Sequence, residues 1–200
     1  MTKSKQRAGL LWLACALAAV AMTQAQTTYT ETVLHNFSSA TTGAYPYGGL
    51  VGDAAGNLYG TTSAGGADGA GVVFKVDKAG RQTVLYSFLP AIDIGDPQAG
   101  VVRDSAGNLY GTTLYGGAGF GAVYKLDTAG NYTDLHAFGM GWDGQSPYSG
   151  VIRDATGNLY GTTTKGGQWG WGVVYKLDTA GNYTAAQSTI CVSLIMNYIK

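Results

Sequence analysis

Apolar residues in this chain come in short runs, each closed by glycine, aspartate or asparagine. In the first copy of the pattern the runs are 49–52 (Gly-Leu-Val-Gly), 57–62 (Asn-Leu-Tyr-Gly-Thr-Thr), 72–76 (Val-Val-Phe-Lys-Val) and 83–88 (Thr-Val-Leu-Tyr-Ser-Phe). β-Branched and aromatic residues fill them, and the spacing of about a dozen residues between runs predicts strands of an all-β domain. Four strands follow, called a to d. The same order then returns twice. The phrase from Asp53 to Thr62 recurs as Asp104 to Thr113 and as Asp154 to Thr163, and Pro46, Pro97 and Pro147 keep step with Phe37, Phe88 and Phe138. A strict internal period of this length means one structural module copied three times.

The turns carry their own chemistry. Strands a and b are joined by Asp53-x-x-Gly56-Asn57, Asp104-x-x-Gly107-Asn108 and Asp154-x-x-Gly157-Asn158; strands c and d by Asp77-x-x-Gly80, Asp127-x-x-Gly130 and Asp178-x-x-Gly181. An aspartate opening a turn accepts a bond from the backbone ahead of it, and the glycine supplies the left-handed conformation of a tight antiparallel hairpin. These residues are assigned to turn structure. The Asp-x-x-Gly-Asn string lacks the alternating oxygen ligands of a calcium loop.

A four-stranded antiparallel unit of about 50 residues has the size of a Kelch-type propeller blade, and the double glycines 65–66, 116–117 and 166–167 add a loose similarity. Strand a, the richest in glycine, suits the crowded axis of such an array. A β-solenoid is the rival, but its coils are usually about half this length. The predicted fold is all-β, a propeller-like array of four-stranded antiparallel blades, three repeats, incomplete and open. Its predicted limits are 26–184, with repeats at about 46–96, 97–146 and 147–184 after a leading d-type strand at 29–37.

The string Gly-Asn-Leu-Tyr-Gly-Thr-Thr is followed by a double glycine, by Val-[Phe/Tyr]-Lys-[Val/Leu]-Asp-x-Ala-Gly and by Thr-x-Leu-[His/Tyr]-x-Phe. In that order these landmarks resemble the GloVer-type tandem repeat of secreted bacterial proteins, over about Tyr29 to Thr184. The resemblance implies export and a propeller-like array, often longer than this one and often finished by a C-terminal surface anchor. It implies no reaction and no catalytic residues.

The N-terminus reads as an export signal over 1–25. Lys3, Lys5 and Arg7 are its basic start, Ala8 to Met22 its apolar stretch and Thr23-Gln24-Ala25 its small-residue cleavage site. The stretch is too short for a comfortable membrane span, and Cys15 lies inside it rather than at its end, which argues against a lipid-modified cysteine. The whole chain has 12 basic and 12 acidic side chains; without the signal the balance is 9 to 12, a net charge of −3. No basic stripe remains to hold nucleic acid. Cys191 alone survives cleavage, and neither CxxC pairs nor zinc-spaced His/Cys clusters occur, so no disulfide, metal or other cofactor is expected.

Half of the acids are turn residues by position. His35, Tyr86 and His136 share one strand-d slot, which marks a packing position rather than a catalytic base. In an antiparallel blade the a–b and c–d turns share one end and the b–c and d–a loops the other. The second end is where the copies differ, at loops 63–71, 114–121 and 164–172 and at 38–45, 89–96 and 139–146. It carries Tyr115, Phe120, Trp142, Trp169 and Trp171 with Asp143, Asp93 and Asp96 nearby. Variable loops on a repeated scaffold are where function concentrates.

The candidate ligand-binding residues are therefore Tyr115, Phe120, Trp142, Asp143, Trp169 and Trp171, with no catalytic residue assigned. The reading is a secreted or surface-associated binding scaffold, for a glycan or a cell-surface protein, with self-association through open sheet edges. Its alternative is a fragment of a propeller enzyme, a polysaccharide hydrolase or lyase. After Thr184 the repeat pattern breaks, with Ala186 and Thr189 in the slots of Leu85 and Phe88. Residues 185–200 read as an off-pattern tail, from a truncated or frame-shifted frame or a distinct capping strand.

Overall fold

The computed structural model of the chain describes residues 30–37, 41–90 and 95–186. Segment 1–25, expected as an export signal, Asp93 and the tail beyond 186, with Cys191, lie outside the described residues. Two compact units divide the chain, Met1–Thr32 and Val33–Lys200, and every sheet belongs to the second. Among the described residues no helix is long and apolar enough to cross a membrane.

Three antiparallel sheets of four strands follow one another along the chain. The first holds β1 (Val51–Gly52), β2 (Leu58–Thr62), β3 (Val72–Val76) and β4 (Gln82–Ser87). The second holds β5 (Val102–Arg103), β6 (Leu109–Thr113), β7 (Ala122–Leu126) and β8 (Tyr132–Ala137); the third β9 (Ile152–Arg153), β10 (Leu159–Thr162), β11 (Val174–Leu177) and β12 (Tyr183–Ala186). Strands pair in chain order, and no sheet closes into a barrel. This is the open propeller-like array of blades that the repeat predicts.

Three details differ from the expected strands. Strand a shrinks to two residues per blade. The leading segment, expected as a strand over 29–37, joins no ladder among the described residues, although His35 Nδ1 lies 3.2 Å from the Gly80 carbonyl. In the third blade the ladder runs past 184 and pairs Ala186 with Val174, because ladder hydrogen bonds are made by backbone groups and tolerate off-pattern side chains.

Between the a and b strands, and again between c and d, an aspartate organises each hairpin. The Asp53 carboxylate accepts bonds from the Asn57 amide N–H, the Asn57 side chain and the Tyr59 hydroxyl, each at 2.9 Å. Asp104 with Asn108 and Tyr110, and Asp154 with Asn158 and Tyr160, repeat the arrangement. Gly56, Gly107 and Gly157 have φ of 81°, 94° and 98°, a region closed to most side chains. The Asn57 side-chain bond, joined by its backbone bond, pulls the Asp53 carboxyl down to about 2. At Asp104 and Asp154 burial pushes upward, and the bonds from asparagine and tyrosine outweigh it, so both also sit low.

The core lies between blades. Strand c alternates, so in the first blade Val72, Phe74 and Val76 cluster on one face while Val73 joins Leu109, Tyr124 and Leu126 of the second blade. Val123 meets Leu159, Tyr175 and Leu177 of the third in the same way. Phe88 and Phe138 are fully buried in these two contacts, and burying such a ring contributes about 1.5–3 kcal/mol. In β4 and β8 a bulge leaves Leu85 and Leu135 without a ladder partner, and both pack into the contact with the next blade.

Hydrogen bonds repeat at each contact. Thr61 Oγ1 donates to the Ala99 carbonyl at 2.7 Å and Thr112 Oγ1 to the Ser149 carbonyl at 2.9 Å. The second threonine of the first and third pairs instead ties its own b–c loop, Thr62 donating to the Ala64 carbonyl and Thr163 to the Lys165 carbonyl, whereas the Thr113 hydroxyl is buried without a partner. Asp96 and Ser146, at φ 57° and 55°, donate their amides to Ala70 and Phe120 of the preceding blade, each at 2.8 Å. Glycine lines the axis because strands a approach there: a Cβ on Gly100 would overlap the Gly49 carbonyl, whereas one on Gly49 meets nothing within 4 Å.

Gly100→Ala therefore destabilises the protein by about 1–3 kcal/mol in urea unfolding, the range for forcing a methyl into a packed contact, and Gly49→Ala serves as the near-neutral control. For the turn carboxylates the folded pKa lies below the unfolded value of 3.8. Their contribution is present above that value and is lost as pH falls through the folded one. Urea unfolding is expected to show stability dropping from about pH 4 to about pH 2, and Asp53→Asn, Asp104→Asn and Asp154→Asn together flatten that drop.

Candidate functional site

The loops at one end of the blades are tied into a single layer by backbone bonds. Within the third blade's loop region, Gln145 bridges Lys165, Gly166 bridges Trp171, and the Gly167 amide donates to the Gly141 carbonyl at 2.9 Å. The d–a loop that follows the second blade is thus held against the b–c loop of the third. In the first blade Ala44 bridges Ala64 in the corresponding way. Leu114 and Tyr115 donate to the carbonyls of Asp96 and Gly95, which joins the remaining d–a and b–c loops.

On this layer the six candidate residues have different surroundings. Trp142, Trp169 and Trp171 stand 59%, 77% and 88% exposed, with Tyr115 also exposed. The bonds between their two loops bring the three tryptophans into one region. Phe120 is half-buried and packs on the core shared by the second and third blades, so its ring is held by the scaffold.

Asp143 is engaged internally. One of its carboxylate oxygens lies 3.0 Å from His136 Nε2 and the other accepts the Gly139 amide at 2.8 Å. Its backbone carbonyl accepts from the Tyr183 hydroxyl. The His136 ring stacks on Tyr183 at 3.9 Å, as Tyr86 stacks on Tyr132 at 5.0 Å one blade earlier. The strand-d slot is thus a packing position, as its His-Tyr-His filling predicted. Burial and the nearby Asp143 charge push the Tyr183 hydroxyl well above the usual tyrosine value. The Asp143–His136–Tyr183 cluster anchors loop 139–146. Its parts were visible in sequence only as separate repeat positions, and nothing in the spacing signalled that the loop folds back on the ring.

Asp96 lies half-buried at the join between blades, accepting from the Gln98 side chain at 2.6 Å; burial pushes its carboxyl up. No group of three or more His, Cys, Asp or Glu able to hold a metal ion occurs among the described residues. One feature had no counterpart in the sequence reading, an exposed stacked pair, Tyr45 and Tyr47, at 6.1 Å. A further apolar groove of roughly 390 Å³ lies on the first blade, lined by Val33, Leu34, Phe37, Leu50, Leu58 and Phe74 among others. None of the loop tryptophans lines it.

No curated relative matches the chain. A family model described as the Gloeobacter/Verrucomicrobia repeat matches residues 83–190, from strand d of the first blade through the third. That span is more than half of the chain, and the four-stranded blade copied through it is the unit the match follows: the chain belongs to the Gloeobacter/Verrucomicrobia repeat family.

Proposed function

We propose that the protein is an extracytoplasmic binding scaffold whose loop face takes a glycan through its exposed tryptophans. The observation that carries this reading is the exposure of Trp142, Trp169 and Trp171 on loops that are themselves tied by backbone bonds. An indole that merely covers a loop is buried by it; these three leave large apolar surface in water. Flat amphipathic rings suit the apolar faces of sugars, and a loop already held in place loses little further entropy when a ligand binds. The enzyme alternative needs two carboxylates about 5–10 Å apart facing a substrate. Asp143 and Asp96 are instead bonded to His136 and Gln98.

Tryptophan fluorescence titrated against a panel of soluble polysaccharides tests the reading. A quench that saturates is expected, and Trp169→Ala or Trp171→Ala weakens it by about tenfold each, the effect of losing about 1.4 kcal/mol of apolar contact. The urea midpoint is expected to stay unchanged, since neither ring is packed. A panel without any response, together with a lowered midpoint in these variants, rejects the binding role.

Export is the second part of the proposal and rests on the basic-apolar-small order of residues 1–25. Mass spectrometry of the exported fraction is expected to find Gln26 as the first residue. A product that stays in the cytoplasm and keeps Met1 rejects it.

A further inference from the structure

The contact between neighbouring blades occurs twice inside the chain, and the two ends of the array carry its two halves. In each contact one blade presents strand a, b and c residues, Val51, Tyr59 and Val73 or Val102, Tyr110 and Val123. The next blade receives them on Leu109, Tyr124 and Leu126 or on Leu159, Tyr175 and Leu177. Val73 and Val123 are 0% exposed there.

The first blade carries the receiving half with no blade before it among the described residues. Its Leu58, Phe74 and Val76, at the positions of Leu109, Tyr124 and Leu126, line the groove of roughly 390 Å³. Leu50 stands 57% exposed at its rim, while its counterparts Val101 and Val151 are buried. Phe37 meets Phe74 edge-on at 5.0 Å, as Phe88 meets Tyr124 at 5.5 Å and Phe138 meets Tyr175 at 5.2 Å. The end of a preceding strand d is therefore already seated. What the groove lacks is strands a to c of a preceding blade.

The third blade presents those strands. Val174 is 37% exposed where Val73 and Val123 are fully covered, and Ile152, at the position of Val51, is 53% exposed. Thr162, at the position of the buried Thr61 and Thr112, is exposed and shares a hydrogen bond with Ser149 at 2.8 Å.

We propose that a second copy of this chain docks head to tail, its third blade filling the groove on the first blade. Ile152 and Val174 then take the places of Val51 and Val73, while Tyr160, at the position of Tyr59, is already buried in its own copy. The repeat also assigns the polar bonds: the Thr162 hydroxyl to the Gly48 carbonyl, and the Tyr45 amide to the Trp171 carbonyl, at the positions of Thr61–Ala99 and Asp96–Ala70. Tyr45 already holds the left-handed φ, 59°, that Asp96 and Ser146 use for this bond. The occupant is a copy of the chain because the groove is shaped by the repeat and the chain carries the matching face.

One element is missing from the contact between copies. Arg103 and Arg153 lie over Tyr59 and Tyr110 at 5.6 and 5.9 Å, whereas Gly52 stands at their position in the first blade. The docking is consequently weaker than the internal contacts. It joins blade faces rather than strand edges, and it is heterologous, each face being used once per copy.

Analytical ultracentrifugation of the purified chain at about 100 µM, a concentration that fills micromolar contacts, tests it. Wild type is expected to sediment at two or more times the single-chain mass. Leu50→Glu blocks the groove and Ile152→Glu the opposite face; both sites are exposed, so circular dichroism and melting stay as in wild type, and each variant alone is expected to be a monomer. Val33→Glu is a second groove variant should Leu50→Glu fold poorly. An equal mixture of a groove variant with Ile152→Glu keeps one intact pair of faces and is expected to form a dimer and nothing larger. A monomeric wild type, single variants that keep the wild-type mass, or a mixture that stays monomeric each overturn the proposal.

Discussion

A four-stranded blade of this sequence has two apolar faces and can bury neither by itself. Strand c shows the constraint most directly, since Val72, Phe74 and Val76 point one way and Val73 the other, and all four are buried. Such a strand needs cover on both sides, given in the first blade by Phe37 of the leading segment on one side and by the second blade on the other, so the contact between blades is the interaction on which the rest depends. It combines aromatic packing, in which Phe88 and Phe138 sit edge-on to the next blade's tyrosine, with one threonine bond and one left-handed amide bond per junction. The close approach of strands a follows from the same contact, which is why glycine stands at 100 and 150.

That contact also decides what the loops can do. The d–a loop leaves one blade, bonds to that blade's b–c loop through Asp96 or Ser146, and enters the next blade beside its own b–c loop. A segment held at both ends by neighbouring blades has little freedom, so rings placed on it stand in water without collapsing onto the surface. The opposite end is different in kind. There the carboxylates of the tight hairpins are each occupied by an asparagine or arginine side chain and by backbone N–H groups, which leaves that end uniform from copy to copy.

Much of this was legible in the sequence because it is local. Asp53, Gly56 and Asn57 specify their hairpin within five residues, and the copies at 104 and 154 give the same answer. The two threonines closing strand b were legible as strand but not as a division of labour, since the partner of Thr61 is the Ala99 carbonyl, 38 residues away. The double glycine and the aromatic Tyr59 were likewise visible as repeat landmarks, but the hydroxyl bond from Tyr59 to Asp53 depends on the register of a finished hairpin. At the candidate site the tryptophans could be assigned to the variable end from strand alternation alone. That Asp143 turns inward to His136 while Trp142, its neighbour in sequence, faces water could not, because a loop without periodicity carries no signal of which side chain it buries.

By itself, then, the sequence determined the module, its three copies, the four antiparallel strands, both hairpins and the end at which the copies differ. Each of these follows from a period or from turn chemistry contained within a few residues. Tertiary structure alone decided that Phe120 is held by the core, that Asp143 anchors its loop, that the leading segment lies against Phe74 without joining a ladder, and that the two ends of the array carry complementary faces. Apart from the Asp143–His136 bond, made by a loop folding back on its own strand, these are contacts between segments from different repeats, and their outcome rests on how neighbouring blades pack, a quantity that hydrophobic alternation along a single strand does not encode.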